Sequence, residues 1–282
     1  MHPGFTDTGG SAVSRRHYLA CAGLVLAALA GLASAAAPAP PPSLPDCDSD
    51  AFASVLLAAP AGDRSAPPIE ARAYWLNRQL LKWPGTGASG VFRIYYSANG
   101  QLAISNGALS GAAGSLKLDR YVGSIPAVAA ERFKYVADGI VLRVADADLA
   151  RLPDLHRGEL LLVQEDRRGT LQQATALQLA GALDDLYAPA AEIPDLGVAI
   201  DHAGTRFKLW APTARNVALC LYGSGTGKAL ALVPMQRDQA TGAWSASQIQ
   251  DLSGKYYRYL VDVFGSASVV MGPSTGTHST CP

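Results

Sequence analysis

The chain has 282 residues, of which 49% are hydrophobic and 16% charged, with 23 basic against 23 acidic side chains and no formal net charge. Apolar content at this level excludes wholesale disorder, though alanine supplies much of it, and the length admits about two domains of ~100–200 residues. Balanced charge argues against nucleic acid or an anionic membrane surface as the main partner and leaves a neutral polymer open.

Residues 1–35 read as an address. Arg15-Arg16 precede an apolar stretch over 19–32, and Ala33-Ser34-Ala35 follows as a small-x-small cleavage site, the pattern of a secretory signal peptide. Ser14-Arg15-Arg16-His17-Tyr18-Leu19 also has the form of a twin-arginine export signal. The competing reading is a membrane anchor, but a helix over 19–32 spans only ~21 Å against a hydrocarbon core of ~30 Å. The expected destination is periplasmic or extracellular, with no membrane attachment after cleavage. Cys21 leaves with the signal. Cys47, Cys220 and Cys281 then allow one disulfide and one spare thiol, with the pairing open. Their spacing matches no zinc site.

Residues 36–66 form an Ala/Pro-rich linker, with a short helix expected over 52–59. From 67 to 193 short β-prone runs follow one another: 71–76, then Val91-Phe92-Arg93-Ile94-Tyr95-Tyr96, whose Asn99-Gly100 turn leads into Leu102-Ala103-Ile104, then 115–122, 140–144, 159–164 and 171–178. A helical turn is expected within 145–155. Strands at intervals near ten residues predict an immunoglobulin-like β-sandwich. Leu179, Leu183, Leu186 and Tyr187 recur at helical spacing, so a connector helix is expected from 180 to 191, closed by Pro189 and Pro194. Residues 194–264 supply a second set of strands. Arg206-Phe207-Lys208-Leu209-Trp210 alternates, and 217–222, 229–235, 242–244 and 255–263 follow. Residues 265–282 form a divergent tail. The fold class expected is mostly β: two tandem immunoglobulin-like β-sandwiches after a signal peptide and a Pro-rich linker.

Thr205-Arg206-Phe207-Lys208-Leu209-Trp210-Ala211-Pro212-Thr213-Ala214, with Pro234-Met235, Thr241-Gly242-Ala243-Trp244 and Gly254-Lys255-Tyr256-Tyr257 in the same order, resembles the glycogen-binding-type module that precedes the barrel of debranching enzymes. Upstream, Ala71-Arg72-Ala73-Tyr74-Trp75-Leu76, Leu81-Lys82-Trp83-Pro84 and Leu183-Asp184-Asp185-Leu186-Tyr187-Ala188 resemble the preceding domain of Gram-negative pullulanases, of the α-amylase superfamily. The resemblance runs from 46 to 263. It implies starch debranching by hydrolysis of α-1,6-glucosidic bonds, an α-glucan partner (pullulan, amylopectin or glycogen) and association with the catalytic barrel of a full-length enzyme. That family continues into the barrel after the position of Asp262-Val263. Here residues 263–282 contain no Asp, Glu, Lys or Arg, whereas glycoside hydrolysis needs a pair of carboxyl groups. The resemblance therefore carries no catalytic residue onto this chain, which reads as truncated, inactive alone, and altered at its end as by a frameshift.

No cofactor or metal is expected. Asp184-Asp185 are sequence neighbours about 100° apart on a helix and read as a solvated connector rather than an acid pair. Asp46, Asp48 and Asp50 lack the glycine and glutamate of a calcium loop. His156 and His202 read as turn residues. Walker and His-Glu-x-x-His motifs are absent. Sugar-binding modules offer flat aromatic faces to glucose, and Trp83 and Trp244 are the candidates, with Lys228 and Lys255 as hydroxyl donors. Trp75 and Trp210 read as core. Two functions remain: glucan-binding modules, or purely structural domains that pack on a barrel and bind no sugar.

Overall fold

Alternation between residues 71 and 178 gives each strand one face to bury. A computed structural model, describing residues 41–49 and 69–263 and the backbone of 266–273, shows what covers it. The signal region, the helix expected over 52–59, Asp50 and Cys281 lie outside those residues. The strands are β1 (Ala71–Trp75), β2 (Leu80–Pro84) and β3 (Val91–Ser97), a small hairpin of β4 (Ala103–Ser105) and β5 (Ala108–Ser110), then β6 (Gly114–Arg120), β7 (Gly139–Val144), β8 (Glu159–Glu165) and β9 (Leu171–Gln178).

Seven of these strands close into a barrel in the order β1-β2-β7-β6-β3-β8-β9. The chain is mostly β, as its sequence implies, but the sandwich expected for 67–193 is this barrel. The reason is one seam. β1 pairs in parallel with β9, from Ala71↔Ala176 to Tyr74↔Gln178, which joins the two strands that would otherwise be open edges. Thr175 fastens it, donating to the Glu70 carbonyl at 2.8 Å and accepting from the Arg72 amide at 2.8 Å. Trp75, Trp83, Phe92, Ile94, Leu116, Leu142 and Leu162 belong to the barrel core, each at most 2% exposed. Side chains thus fill the interior, each contributing about 1.5–3 kcal/mol by burial.

The hairpin expected at Asn99-Gly100 forms one turn later. β3 pairs with β6 and β8, while β4 pairs with β5 around Asn106 and Gly107, both at positive φ (51° and 72°). Tight two-residue turns require that geometry. α1 (Ala127–Arg132) lies between β6 and β7, α2 (Leu152–Leu155) provides the helical turn expected before β8, and α3 (Ala180–Leu186) is the connector helix. α3 lies so close to β1 that a Cβ at Gly181 would sit 2.2 Å from the Trp75 carbonyl oxygen. Its two acids serve as ties. Asp185 accepts from Arg78 (Nη2, 2.8 Å; backbone N, 3.0 Å), which holds its carboxyl below the usual range, and Asp184 pairs with Arg132 on α1.

The second block is a sandwich of two four-stranded sheets. One contains β10 (Gly197–Asp201), β11 (Gly204–Trp210), β14 (Gln236–Arg237) and β15 (Ala243–Gln248); the other contains β12 (Asn216–Tyr222), β13 (Ala229–Pro234), β16 (Tyr256–Val263) and β17 (Ser266–Pro273). The tail expected to diverge after 264 continues as β17, paired antiparallel with β16 from Val263↔Ser266 to Tyr256↔Pro273. β16 is thereby spared an open edge, and Val269-Val270 suit a strand.

β12 is apolar from Val217 to Leu221 because both its faces are covered. Val217, Leu219 and Leu221 pack with Phe207, Met235, Trp244 and Tyr259 between the sheets. Ala218, Cys220 and Tyr222 face a strap at residues 44–48, with Cys47 buried among them. Cys47 and Cys220 form a disulfide, Cα–Cα 5.8 Å, which settles the open pairing. Tyr222 donates to the Cys47 carbonyl at 2.6 Å, and Asp48 accepts from the Ala229 amide at 3.0 Å. Asp46 caps the turn by accepting from the Ser43 hydroxyl and amide, each at 2.7 Å. These acids hold the strap.

Barrel and sandwich form one compact unit. Arg157 of the barrel donates to the carbonyls of Ala214 (3.0 Å) and Arg215 (2.8 Å). Arg215 of the sandwich reciprocates, donating to the Ala98 carbonyl (2.6 Å) and Asn99 Oδ1 (3.1 Å). Arg237 adds a bond to the Tyr187 hydroxyl at 2.9 Å. Each guanidinium thus reaches acceptors in the other module, and charged hydrogen bonds of this kind are worth about 1.5–3 kcal/mol.

Candidate functional site

The tryptophans do not sit where the sequence suggests. Trp83 shares the inward phase of β2 with Leu81, pairs across to Ile140, and meets Phe92 edge-on at 6.3 Å. Its loop begins only after Pro84, so the ring is 1% exposed and has no face for a sugar. Trp244 is 5% exposed between the sheets, its indole N–H donating to the Ala211 carbonyl at 3.0 Å. Both are core residues, which removes them as platforms. Trp75 is buried as expected. Trp210 is the reverse: it shares the outward phase of β11 with Arg206 and Lys208, is 36% exposed, and donates to the Thr241 carbonyl at 2.9 Å.

The two lysines lie at the same end of one sheet, on strands to either side of β12. Ala229 and Tyr256 both pair with Tyr222, so Lys228 and Lys255, one residue before each, flank the same end of the sheet. Both are exposed. Tyr256, the residue after Lys255, stands at that end too, 41% exposed, its ring within 3.5 Å of where a Cβ on Gly225 would lie. The glycine-rich loop 223–227 thus packs close to the tyrosine, and the strap's Asp48 lies at its rim on Ala229. Burial pushes the Tyr222 phenol up, against the pull of Arg258, whose guanidinium lies 5.0 Å above its ring. Tyr222 therefore stays a neutral donor and fixes the base of the cluster. Sequence reasoning missed Tyr256. The signal was its position between Lys255 and Tyr257, where the strand alternation of β16 begins.

This end of the sandwich offers an aromatic ring, two ammonium donors and a carboxylate rim, suited to a ligand with apolar faces and hydroxyl edges. His202 is exposed in the turn between β10 and β11, as expected. His156 is not a turn residue on the surface: it closes α2, fully buried, against Trp75 at 4.9 Å. Among the described residues no helix is long and apolar enough to cross a membrane.

Residues 70–185 match the Pullulanase N2 domain, and residues 195–274 match carbohydrate-binding module 48, the isoamylase N-terminal domain. The two modules are a pullulanase N2 domain and a carbohydrate-binding module 48. Pullulanase of Klebsiella pneumoniae is 35% identical over 199 residues, 69% of this chain and 17% of that protein. Chloroplastic pullulanase 1 of Arabidopsis thaliana is 32% identical over 215 residues, 76% of this chain and 21% of that protein. The chain thus spans about a fifth of the length of these relatives. Among solved structures, apo pullulanase from Klebsiella pneumoniae superposes with a TM-score of 0.62 at 34% identity, covering 69% of this chain and 20% of that one. The same enzyme complexed with maltotriose gives 0.62 and 34%, covering 69% and 18%. The N2 match covers the barrel, and the module 48 match includes β17, whose last residue is Pro273. Tyr256, Lys228 and Lys255 all lie in module 48.

Proposed function

We propose that the chain is a non-catalytic α-glucan-binding and support unit of a pullulanase-like debranching enzyme, in which module 48 holds the polysaccharide while a catalytic region hydrolyses α-1,6 bonds. The observation that carries this reading is the exposed Tyr256 at the same end of a carbohydrate-binding module as the exposed Lys228 and Lys255. The tyrosine supplies the stacking face and the lysines donate to sugar hydroxyls. Pullulan, amylopectin and glycogen all present the required repeating glucose units. The signal pattern at 1–35 supports export to the periplasm or beyond, through the twin-arginine route, and the Cys47–Cys220 disulfide fits an oxidising compartment.

The test is native electrophoresis of the chain lacking residues 1–35 with pullulan or amylopectin cast in the gel. Retardation that falls by at least about tenfold in apparent affinity in Tyr256→Ala is the expected result. A second reading, domains that pack on a catalytic barrel and bind no sugar, draws support from Leu196 (51% exposed) and Trp210 (36%), apolar side chains left open at one end of the other sheet. Unchanged mobility of the folded protein would favour it.

A further inference from the structure

Between the N2 barrel and module 48 lies a cavity of about 340 Å³, at the low end of the ~300–1,000 Å³ usual for small-molecule sites. Its walls come from both modules: Tyr96 and Ala98 at the end of β3, Ala113 before β6, Leu155 and Asp154 on α2, and Arg215 before β12. Arg157 stands at the seam. The same reciprocal arginine bonds that join the modules hold the walls apart at fixed spacing, so the cleft is formed before any ligand arrives. Gly158 lets the walls approach, since a Cβ there would lie 2.7 Å from the Ser97 carbonyl oxygen.

The chemistry of the walls narrows the occupant. An anion would need an uncommitted cation, and each guanidinium around the cleft already has partners. Arg157 and Arg215 hold backbone carbonyls, and Arg151 is bonded to Asp148 at 2.7 Å and to the Tyr96 hydroxyl at 3.1 Å. Burial and the neighbouring Arg237 further lower the proton affinity of Arg157, the signature of a crowded cationic corner in which Asp154 is the nearby carboxylate, 3.6 Å away. Asp154 is largely exposed, 83% by side chain, and offers acceptor oxygens to hydroxyl groups. The Tyr96 ring and the Leu155 and Ala98 side chains supply the apolar surface.

We infer that this cleft is a second carbohydrate subsite, which takes one or two glucose units of a neutral α-glucan across the junction of the two modules. The inference rests on the glucan reading above and adds a place that neither module possesses alone. Pyranose rings match a mostly apolar floor with one acceptor and a few donors at its edge. The volume equals about eleven water volumes at ~30 Å³ each, which suits a hexose and leaves no room for a longer buried segment.

Maltotriose titrated into the isotopically labelled chain lacking residues 1–35, followed by backbone amide shifts, tests it. The expected result is saturable shifts at Ala98, Ala113 and Gly158. Ala113→Trp fills the cleft from an exposed position and leaves every arginine bond in place, so it should weaken these shifts at least about tenfold while melting at the wild-type temperature. Asp154→Asn should weaken them in the same direction. Shifts confined to residues around Tyr256, abolished by Tyr256→Ala and untouched by Ala113→Trp, would overturn the cleft and leave the proposed function standing. Shifts in the cleft that survive Tyr256→Ala, with none around Tyr256 in the unaltered chain, would support the cleft and remove the tyrosine cluster. A folded chain that binds neither maltotriose nor polymer would overturn both.

Discussion

A buried imidazole makes the fold sensitive to acid. His156 is fully buried, and neither ring nitrogen finds a hydrogen-bond partner among the described residues. Burial pushes its pKa down to about 4, against about 6.5 in an unfolded chain. Between those values the unfolded state binds the extra proton, so stability is full above about pH 6.5 and falls as pH drops toward 4, by about 3 kcal/mol in all. Denaturant unfolding at pH 7 and at pH 4.5 should show most of that loss, and His156→Phe should flatten the difference. Glu159 works in the opposite sense, because burial raises its carboxyl and the folded state then holds a proton more readily on acidification. Persistence of the full acid loss in His156→Phe would assign it elsewhere. At this scale the sequence was legible where alternation was followed strictly. Leu81 and Trp83 share a phase, as do Arg206, Lys208 and Trp210, so period two alone places the first tryptophan inside and the second outside. Judging them by hydrophobicity and by a neighbouring Pro-Gly loop reversed both. The burial of His156 had no such signal, because its neighbours Leu155 and Arg157 fit an exposed turn equally well.

The strap and its disulfide show what a single element contributes. Residues 44–48 cover the outer face of β12, and Cys47 is joined to Cys220 across a sequence separation of 173. Closing so long a loop stabilises the folded state by about 2–4 kcal/mol, chiefly by restricting the unfolded chain. Cys47→Ser should lower stability by that amount in chemical denaturation and expose Tyr222, with little change in the barrel's far-ultraviolet signal. Wild-type stability in the serine variant would mean that Tyr222 and Asp48 hold the strap unaided. The strands themselves were readable from short apolar runs between turns, as was α3 from its leucine spacing. Barrel closure was not. It depends on a parallel pairing of residues near 71 with residues near 176, and nothing local to either segment distinguishes a barrel seam from a sandwich edge. Likewise Asn99-Gly100 and Asn106-Gly107 are equivalent as sequence. Only the second has both residues at positive φ, while Asn99 accepts a bond from Arg215 of the other module.

For the molecule as a whole, the reciprocal arginines decide whether two modules behave as one. Arg157→Ala with Arg215→Ala should split a single unfolding transition into two, with the module 48 transition and the N2 transition separating by several degrees, as scanning calorimetry would show. One undivided transition in the double variant would place the coupling in the α3 connector and the Arg237–Tyr187 bond instead. The covalent path through the folded chain has a mechanical side as well. The barrel, from Ala71 to Gln178, lies entirely within the loop that the Cys47–Cys220 bond closes. Tension applied between the two chain ends therefore passes from Cys47 directly to Cys220 and on through β12, bypassing every barrel strand. A glucan pulling on module 48 while the amino end is held would load the sandwich alone, and the barrel would keep its shape as an unstressed spacer.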